Sequence, residues 1–172
     1  RKQGGDFGLF LVDAQAPGIP QTPARLMDGR QYVAFEFADV PESSGQWLAG
    51  GTAERDWAQV LNNATVILAA EMLGSARELC ERTVEYLKER EQFDAKIGSF
   101  QALQHRAAHM YTELELSQAA VDAALVSFDS GQGDQYALVS AAKALANDCF
   151  QLISDEAVQM HGGMGVTDER AI

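Results

Sequence analysis

The sequence predicts a mainly α fold: an up-and-down four-helix bundle, its fourth helix largely missing, preceded by a few antiparallel strands of an incomplete β domain. Three observations predict it. All four prolines and 8 of the 15 glycines lie within residues 1–51, and proline is absent after Pro41. Proline removes a backbone donor and clashes one turn back, so its absence permits long helices. Beyond residue 52 apolar residues recur at spacings of three and four over three long segments, whereas before it they alternate or cluster in short runs.

The strand-like part spans residues 1–50. Phe7 to Val12 is a short apolar run, as in a buried strand. Pro17 to Pro23 reads as a turn or extended linker. Asp28-Gly29 is a hairpin signal, since glycine accepts a positive φ. Tyr32 to Phe37 then puts Val33, Phe35 and Phe37 on one face at period two. Two or three strands are too few for an independent sheet, so they are expected to complete a larger one. The chain begins on Arg1 rather than Met and stops at Ile172, and is read as an internal fragment of something longer.

The helical part spans residues 51–172. A first helix is expected from about Ala53 to Arg90, with an apolar stripe through Trp57, Val60, Leu61, Ala64, Leu68, Met72, Ser75, Leu79, Thr83 and Tyr86, and with Glu78 and Arg82 as a favourable pair. A second is expected from Ser99, as N-cap, to Ser130. Its Leu103, Ala107, Met110, Leu114, Ser117, Val121, Leu125 and Phe128 form a bundle seam, and Gly131-Gln132-Gly133 ends it. A third is expected from Asp134 to Met160, with Val139, Ala142, Ala146, Cys149, Ile153, Ala157 and Met160 on one face. His161-Gly162-Gly163-Met164-Gly165 ends it, and a fourth helix should start near the end of the chain. Short links make sequential helices antiparallel neighbours.

Composition bounds the function classes. The 172 residues are 47% hydrophobic and 22% charged, an ordinary globular balance. With 13 basic and 25 acidic residues the net charge is −12, which argues against non-specific nucleic-acid binding and against docking on anionic membranes. No window reaches the ~18 apolar residues that a membrane span needs. Cys80 and Cys149 lie too far apart in sequence for a zinc pattern and do not make a disulfide framework.

Two stretches carry chemistry. In Arg90-Glu91-Gln92-Phe93, followed by Ile97-Gly98-Ser99-Phe100-Gln101, a guanidinium, an aromatic ring and amide side chains gather near a new helix N-terminus. That is a workable cradle for a phosphate and a ring, although a plain helix end and loop would read the same. In Gln159-Met160-His161-Gly162-Gly163 the bare Gly-Gly backbone lets a ligand approach, although it would also serve as a C-cap and turn. It lacks the strand-before, helix-after setting of a dinucleotide fingerprint. Gln101, His105, His109 and Glu113 sit four apart on the second helix, but they lack the Glu-x-x-His motif and partner ligands, so no metal site is assigned.

Together, a long helix, Arg-x-Gln-Phe, Ile-x-x-Phe-Gln-x-x-Gln-His, a second helix, and Gln-x-x-Gly-Gly-x-Gly after a third resemble the acyl-CoA dehydrogenase family over nearly all of the chain. Gly8 to Ala14, Asp28-Gly29-Arg30 and Phe37 to Val40 look like the end of that family's middle β domain, and residues 53–172 look like its C-terminal helical domain. The resemblance implies an FAD flavoenzyme that dehydrogenates an acyl-CoA thioester between its α and β carbons. It implies a homo- or hetero-oligomer, dimer or tetramer, formed through the bundle, in a bacterial cytoplasm. By position, Arg90 would bind the FAD pyrophosphate of a neighbouring subunit, with Gln92, Phe93 and Gln101 beside it. Gln159, Gly162 and Gly163 would line the adenosine and phosphate end. The catalytic base is not assigned. Where some members carry it on the first bundle helix this chain has Ala64, and where many carry an active-site Asp and Arg it has Asn62 and Thr65. Glu71 is the nearest acid on that helix. A non-catalytic assembly subunit of a heteromeric dehydrogenase, and a flavin oxidase or monooxygenase of the same fold, are the alternatives. The acyl chain and the electron acceptor stay open.

Overall fold

A computed structural model of the chain describes residues 8–27, 29–49 and 52–167. The chain divides into two compact units, Arg1–Val60 and Leu61–Ile172.

The first unit holds two antiparallel ribbons. Strand β1 (Leu9–Val12) pairs with β4 (Gly45–Ala49), and β2 (Gln21–Arg25) pairs with β3 (Gln31–Phe35). Residues 17–23, read above as turn or linker, are partly strand: Pro23 lies inside β2, opposite Val33. A ribbon strand has one unpaired edge, which tolerates a residue without N–H. The β2–β3 turn is closed by Leu26 N–H to Arg30 O (3.0 Å) and by Gly29, whose φ is +82°. Asp28 of the proposed hairpin signal lies outside the described residues, as does Phe7 of the first strand. Strand β4 was not expected; it is held by the Phe10–Trp47 ring contact at 5.3 Å and by Trp47 Nε1 donating to Glu42 Oε1. Val33 and Phe35 alternate within β3, Phe37 lies beyond the end of that strand, and all three are exposed.

Three helices follow. Helix α1 (Ala53–Glu89) begins in the first unit and continues through the second, and α2 (Gln101–Ser130) and α3 (Gln135–His161) complete the bundle. The start of a fourth helix falls on residues 168–172, outside the described residues. The expected seams of α2 and α3 are the buried ones: Met110, Leu114, Ser117 and Val121 face Val139, Ala142, Ala146, Cys149 and Ile153 in one core. Burying each large aliphatic side chain stabilises by about 1.5–3 kcal/mol, while the alanines let the helices approach closely. Ser117 satisfies its hydroxyl by donating to Leu145 O at 3.1 Å.

In α1 the expected stripe is displaced by one residue along most of its length. Val66, Ala69, Leu73, Ala76 and Cys80 are buried, while Trp57, Val60, Leu61 and Leu68 are exposed; only Thr83 and Tyr86 of the expected set are buried. Apolar residues such as Ile67 and Leu68 lie directly beside the buried Val66 and Ala69 along α1, so periodicity alone did not select the face. The Glu78–Arg82 pair forms at 2.6 Å.

The helix ends follow their local chemistry. Gly131, at φ +67°, closes α2, and Asp134 caps α3 by accepting from Ala137 N–H. Ser99 is not the N-cap of α2. A 3-10 turn over Ile97–Ser99 intervenes, its hydroxyl donates to Lys96 O, and Phe100 becomes the cap residue with no side-chain bond.

Candidate functional site

Arg90 follows α1 directly. Its N–H donates to Tyr86 O at 2.9 Å, the last helical bond, and its carbonyl accepts from Ile97 N–H at 2.8 Å. Between them a small hairpin, β5 (Glu91–Gln92) with β6 (Ala95–Lys96), turns at Phe93 and Asp94. Both turn residues hold positive φ, +57° and +58°. Left-handed backbone costs a non-glycine residue about 1–2 kcal/mol, and strain of this kind gathers at functional sites. The turn thrusts the Phe93 ring into solvent, 88% exposed, with its only described ring neighbour Phe100 edge-on at 6.2 Å. The hairpin returns against the last turn of α1, where Gly98 passes so close to Leu87 O that a Cβ would stand 2.7 Å away.

Gln92 donates to Glu91 O, Gln101 opens α2, and both are exposed. Since Phe100 supplies no side-chain acceptor, the first N–H groups of α2 keep their partial positive charge.

Gln159 is exposed on the last turn of α3, and its carbonyl accepts from Gly162 N–H. Gly162 has φ +60°, and a Cβ added at Gly162 or Gly163 would meet nothing within 4 Å. The double glycine is thus an open, bare strip of backbone. The chain then folds back as a 3-10 turn over Gly162–Val166, with Gly165 against Val158 O and the Cβ of His161.

The structure brings these two stretches to one end of the bundle. Tyr86, in the turn of α1 that precedes Arg90, stacks on His161, the last residue of α3, with ring centroids 4.3 Å apart and planes 24° apart. The two residues are 8% and 5% exposed. His161 Nδ1 lies 2.8 Å from Ala157 O; a carbonyl only accepts, so Nδ1 carries the proton. Nearby, Arg106 Nε donates to Glu156 Oε2 at 2.5 Å and ties the start of α2 to the end of α3. From the sequence Tyr86 reads as part of the apolar stripe of α1 and His161 as part of the segment that ends α3, neither with a part in a site. Their signal was position: each closes the apolar face of its helix beside a candidate stretch.

The other candidates are dispersed. His109 Nε2 reaches Glu113 Oε1 at 3.6 Å on an exposed face, and among the described residues no three His, Cys, Asp or Glu side chains group as metal ligands. Ala64 is exposed, and Thr65 donates to Leu61 O at 2.7 Å. Asn62 is 6% exposed, and its Nδ2 is without a hydrogen-bond partner among the described residues. Burial pushes the thiols of both free cysteines up. At Cys80 the facing Cys149 and Glu81 add to the rise against Arg77; at Cys149 a hydrogen bond with Ser117 opposes it and Glu113 adds to it. Such thiols make poor nucleophiles. No described helix is long and apolar enough to cross a membrane.

Residues 55–172 match the family model described as the acyl-CoA dehydrogenase C-terminal domain. The acyl-CoA dehydrogenase IpdE2 of Mycolicibacterium smegmatis is 35% identical over 111 residues, covering 64% of this chain and 34% of that protein. Butyryl-CoA dehydrogenase from Megasphaera elsdenii superposes with a TM-score of 0.82 at 26% identity, over 94% of this chain and 43% of that one. A structure of PigA with FAD and proline superposes with a TM-score of 0.81 at 26% identity, over 93% of this chain and 43% of that one. The chain spans about a third of the length of the first curated relatives it matches.

Proposed function

The chain belongs to the acyl-CoA dehydrogenase family, and from that premise we propose that it forms the cofactor-binding and assembly region of an FAD-dependent enzyme that introduces an α,β double bond into an acyl-CoA thioester. In this reading residues 1–50 are the last strands of a middle β domain and residues 51–172 are most of a helical bundle domain.

The observation that carries the proposal is the shared location of the Arg90 hairpin and the Gly162-Gly163 turn at one end of one bundle, joined by the Tyr86–His161 stack. The residues fit the adenosine diphosphate half of FAD by their chemistry. The Arg90 guanidinium supplies forked donors for pyrophosphate oxygens, reinforced by the uncapped start of α2. The exposed Phe93 ring offers a flat apolar face, and Gln92, Gln101 and Gln159 offer amides that both donate and accept. At Gly162 and Gly163 the missing Cβ leaves room for a ligand against the backbone. The similar structure of PigA with FAD and proline supports the same cofactor. When bound, FAD supplies the hydride acceptor, and the protein's share is binding, orientation and the general base.

Assembly through the bundle is supported by the apolar side chains its helices leave exposed, among them Ile67, Tyr111, Leu116 and Val126. The cytoplasm is the compartment in which such an enzyme would act.

A second reading, a non-catalytic subunit of a heteromeric dehydrogenase, is favoured by one observation. The α1 positions where relatives carry active-site groups hold Ala64, Thr65 and the buried amide of Asn62, none of them a base.

The test is an anaerobic absorbance titration of the full-length polypeptide with a panel of acyl-CoA thioesters. Bleaching of the visible flavin band by one thioester is the expected result and identifies the substrate class. Flavin that bleaches only after a second polypeptide is co-expressed supports the assembly-subunit reading. Rapid reaction of the reduced flavin with oxygen would move the assignment to an oxidase or monooxygenase. Protein that takes up no flavin would overturn the cofactor assignment.

A further inference from the structure

We infer that Tyr86 and His161 form a clamp that pre-organises the cofactor cradle, with His161 as the positioning residue; the inference rests on the FAD reading above.

Each half of the cradle hangs from one member of the stack. Tyr86 O accepts from Arg90 N–H at 2.9 Å, and Arg90 O accepts from Ile97 N–H at 2.8 Å, so the hairpin is fastened to the turn of α1 that carries Tyr86. On the other side, Gly162 N–H is bonded to Gln159 O and Gly165 packs on the His161 Cβ, so the double-glycine turn is fastened to the turn of α3 that carries His161. The two fastenings are joined by the ring stack at 4.3 Å. The Nδ1–H bond from His161 to Ala157 O fixes the imidazole in the plane that meets the tyrosine ring. With both rings nearly buried, neither has room to rotate away without opening the bundle end.

A ligand that touches both loops must hold both at once. If the loops drift independently, binding must also supply the free energy that orders them, and affinity falls without loss of any direct contact. His161 makes no contact with the cofactor in this account. It acts through the loops.

The experiment uses the full-length polypeptide in three variants. His161→Ala removes the stack, His161→Phe keeps an aromatic ring, and Ile153→Val weakens the same helix in the core, away from the clamp. Two quantities are read: FAD affinity by flavin fluorescence on reconstitution, and amide hydrogen exchange of the cofactor-free protein at Ile97 and Gly162.

His161→Ala is expected to weaken FAD by about tenfold, as loss of pre-organisation predicts. It is also expected to accelerate exchange at Ile97, which lies on the other loop. His161→Phe should restore both to within about twofold. Ile153→Val should lower the melting temperature and leave FAD affinity unchanged. The inference is overturned if His161→Ala binds FAD like the wild type, if Ile153→Val weakens FAD equally, or if His161→Phe fails like alanine. If the wild type takes up no FAD, the functional reading fails by itself. The exchange experiment then decides the clamp: unchanged exchange at Ile97 in His161→Ala would refute it.

Discussion

Replacing Gly98 with alanine probes how firmly the Arg90 hairpin is seated. An added Cβ would stand 2.7 Å from Leu87 O and 3.1 Å from its carbonyl carbon, against an ordinary contact of at least 3.4 Å. The opposing atoms are helix backbone, so the hairpin must lift by about 0.7 Å, the shortfall in that contact. Overpacking of this kind costs about 1–3 kcal/mol. The cost has a ceiling, because detaching the hairpin relieves the clash and leaves the α2–α3 core intact. The expected outcome is therefore local. Exchange of the Ile97 amide, bonded to Arg90 O, should accelerate about fivefold to hundredfold. The melting temperature should fall by only a few degrees, at ~2–4 °C per kcal/mol. Gly74→Ala is the matched control. Its Cβ would meet nothing within 4 Å inside α1, so it should stabilise by about 0.5–1 kcal/mol through helix propensity. Unchanged exchange at Ile97 in Gly98→Ala, or melting shifts of the same sign in both variants, would refute the reasoning.

Arg90→Gln should weaken FAD by about tenfold to a hundredfold, as loss of a charge-assisted hydrogen bond implies, while the melting temperature of the cofactor-free protein stays unchanged because Arg90 is exposed; fluorescence titration and thermal unfolding separate the two effects. Ile153→Ala, at 0% exposure in the α3 seam, should cost about 2–5 kcal/mol in a denaturant melt. Both thiols are raised chiefly by burial, so the folded state holds their protons more tightly than the unfolded chain. That contribution to stability is fully present below the unfolded value of about 8.5 and is lost as pH rises through the folded values. Denaturant midpoints should therefore fall as pH rises above about 8.5, and a double Cys→Ala variant should lose that slope. In the native protein at neutral pH both thiols should resist an aromatic disulfide reagent that titrates them at once in denaturant.

The fold class was legible in the sequence because helix periodicity is a local property. In α2 and α3 the buried residues recur at the spacings of three and four read from the sequence, so Met110, Leu114, Val121, Val139 and Ile153 could be assigned to the core by spacing, while other apolar residues such as Tyr111, Leu116, Val126 and Val158 stay exposed. Helix ends at Gly131 and Asp134 were legible for the same reason, since capping is settled by a few neighbouring atoms. Arg90, Gln92, Phe93, Gln101, Gln159, Gly162 and Gly163 could be picked out as candidate stretches, each by its own residue types.

Tertiary structure decided what depends on partners distant in sequence. Which face of α1 is buried was not a property of α1. Val66, Ala69, Leu73 and Ala76 fit against the other two helices, while Leu61 and Leu68, equally apolar, stay exposed. Strand β4 exists because β1 is there to pair with it, and its five residues carry no pattern strong enough to announce that. Ser99 lost the cap position because a 3-10 turn drew its hydroxyl to Lys96 O. The joining of the two candidate stretches rests on Tyr86 and His161, two rings far apart in the chain that meet only when α1 and α3 end at the same place. Spacing along the chain determined the elements and the chemistry each could offer; packing between them, a non-local contact that no single segment encodes, decided where that chemistry gathers.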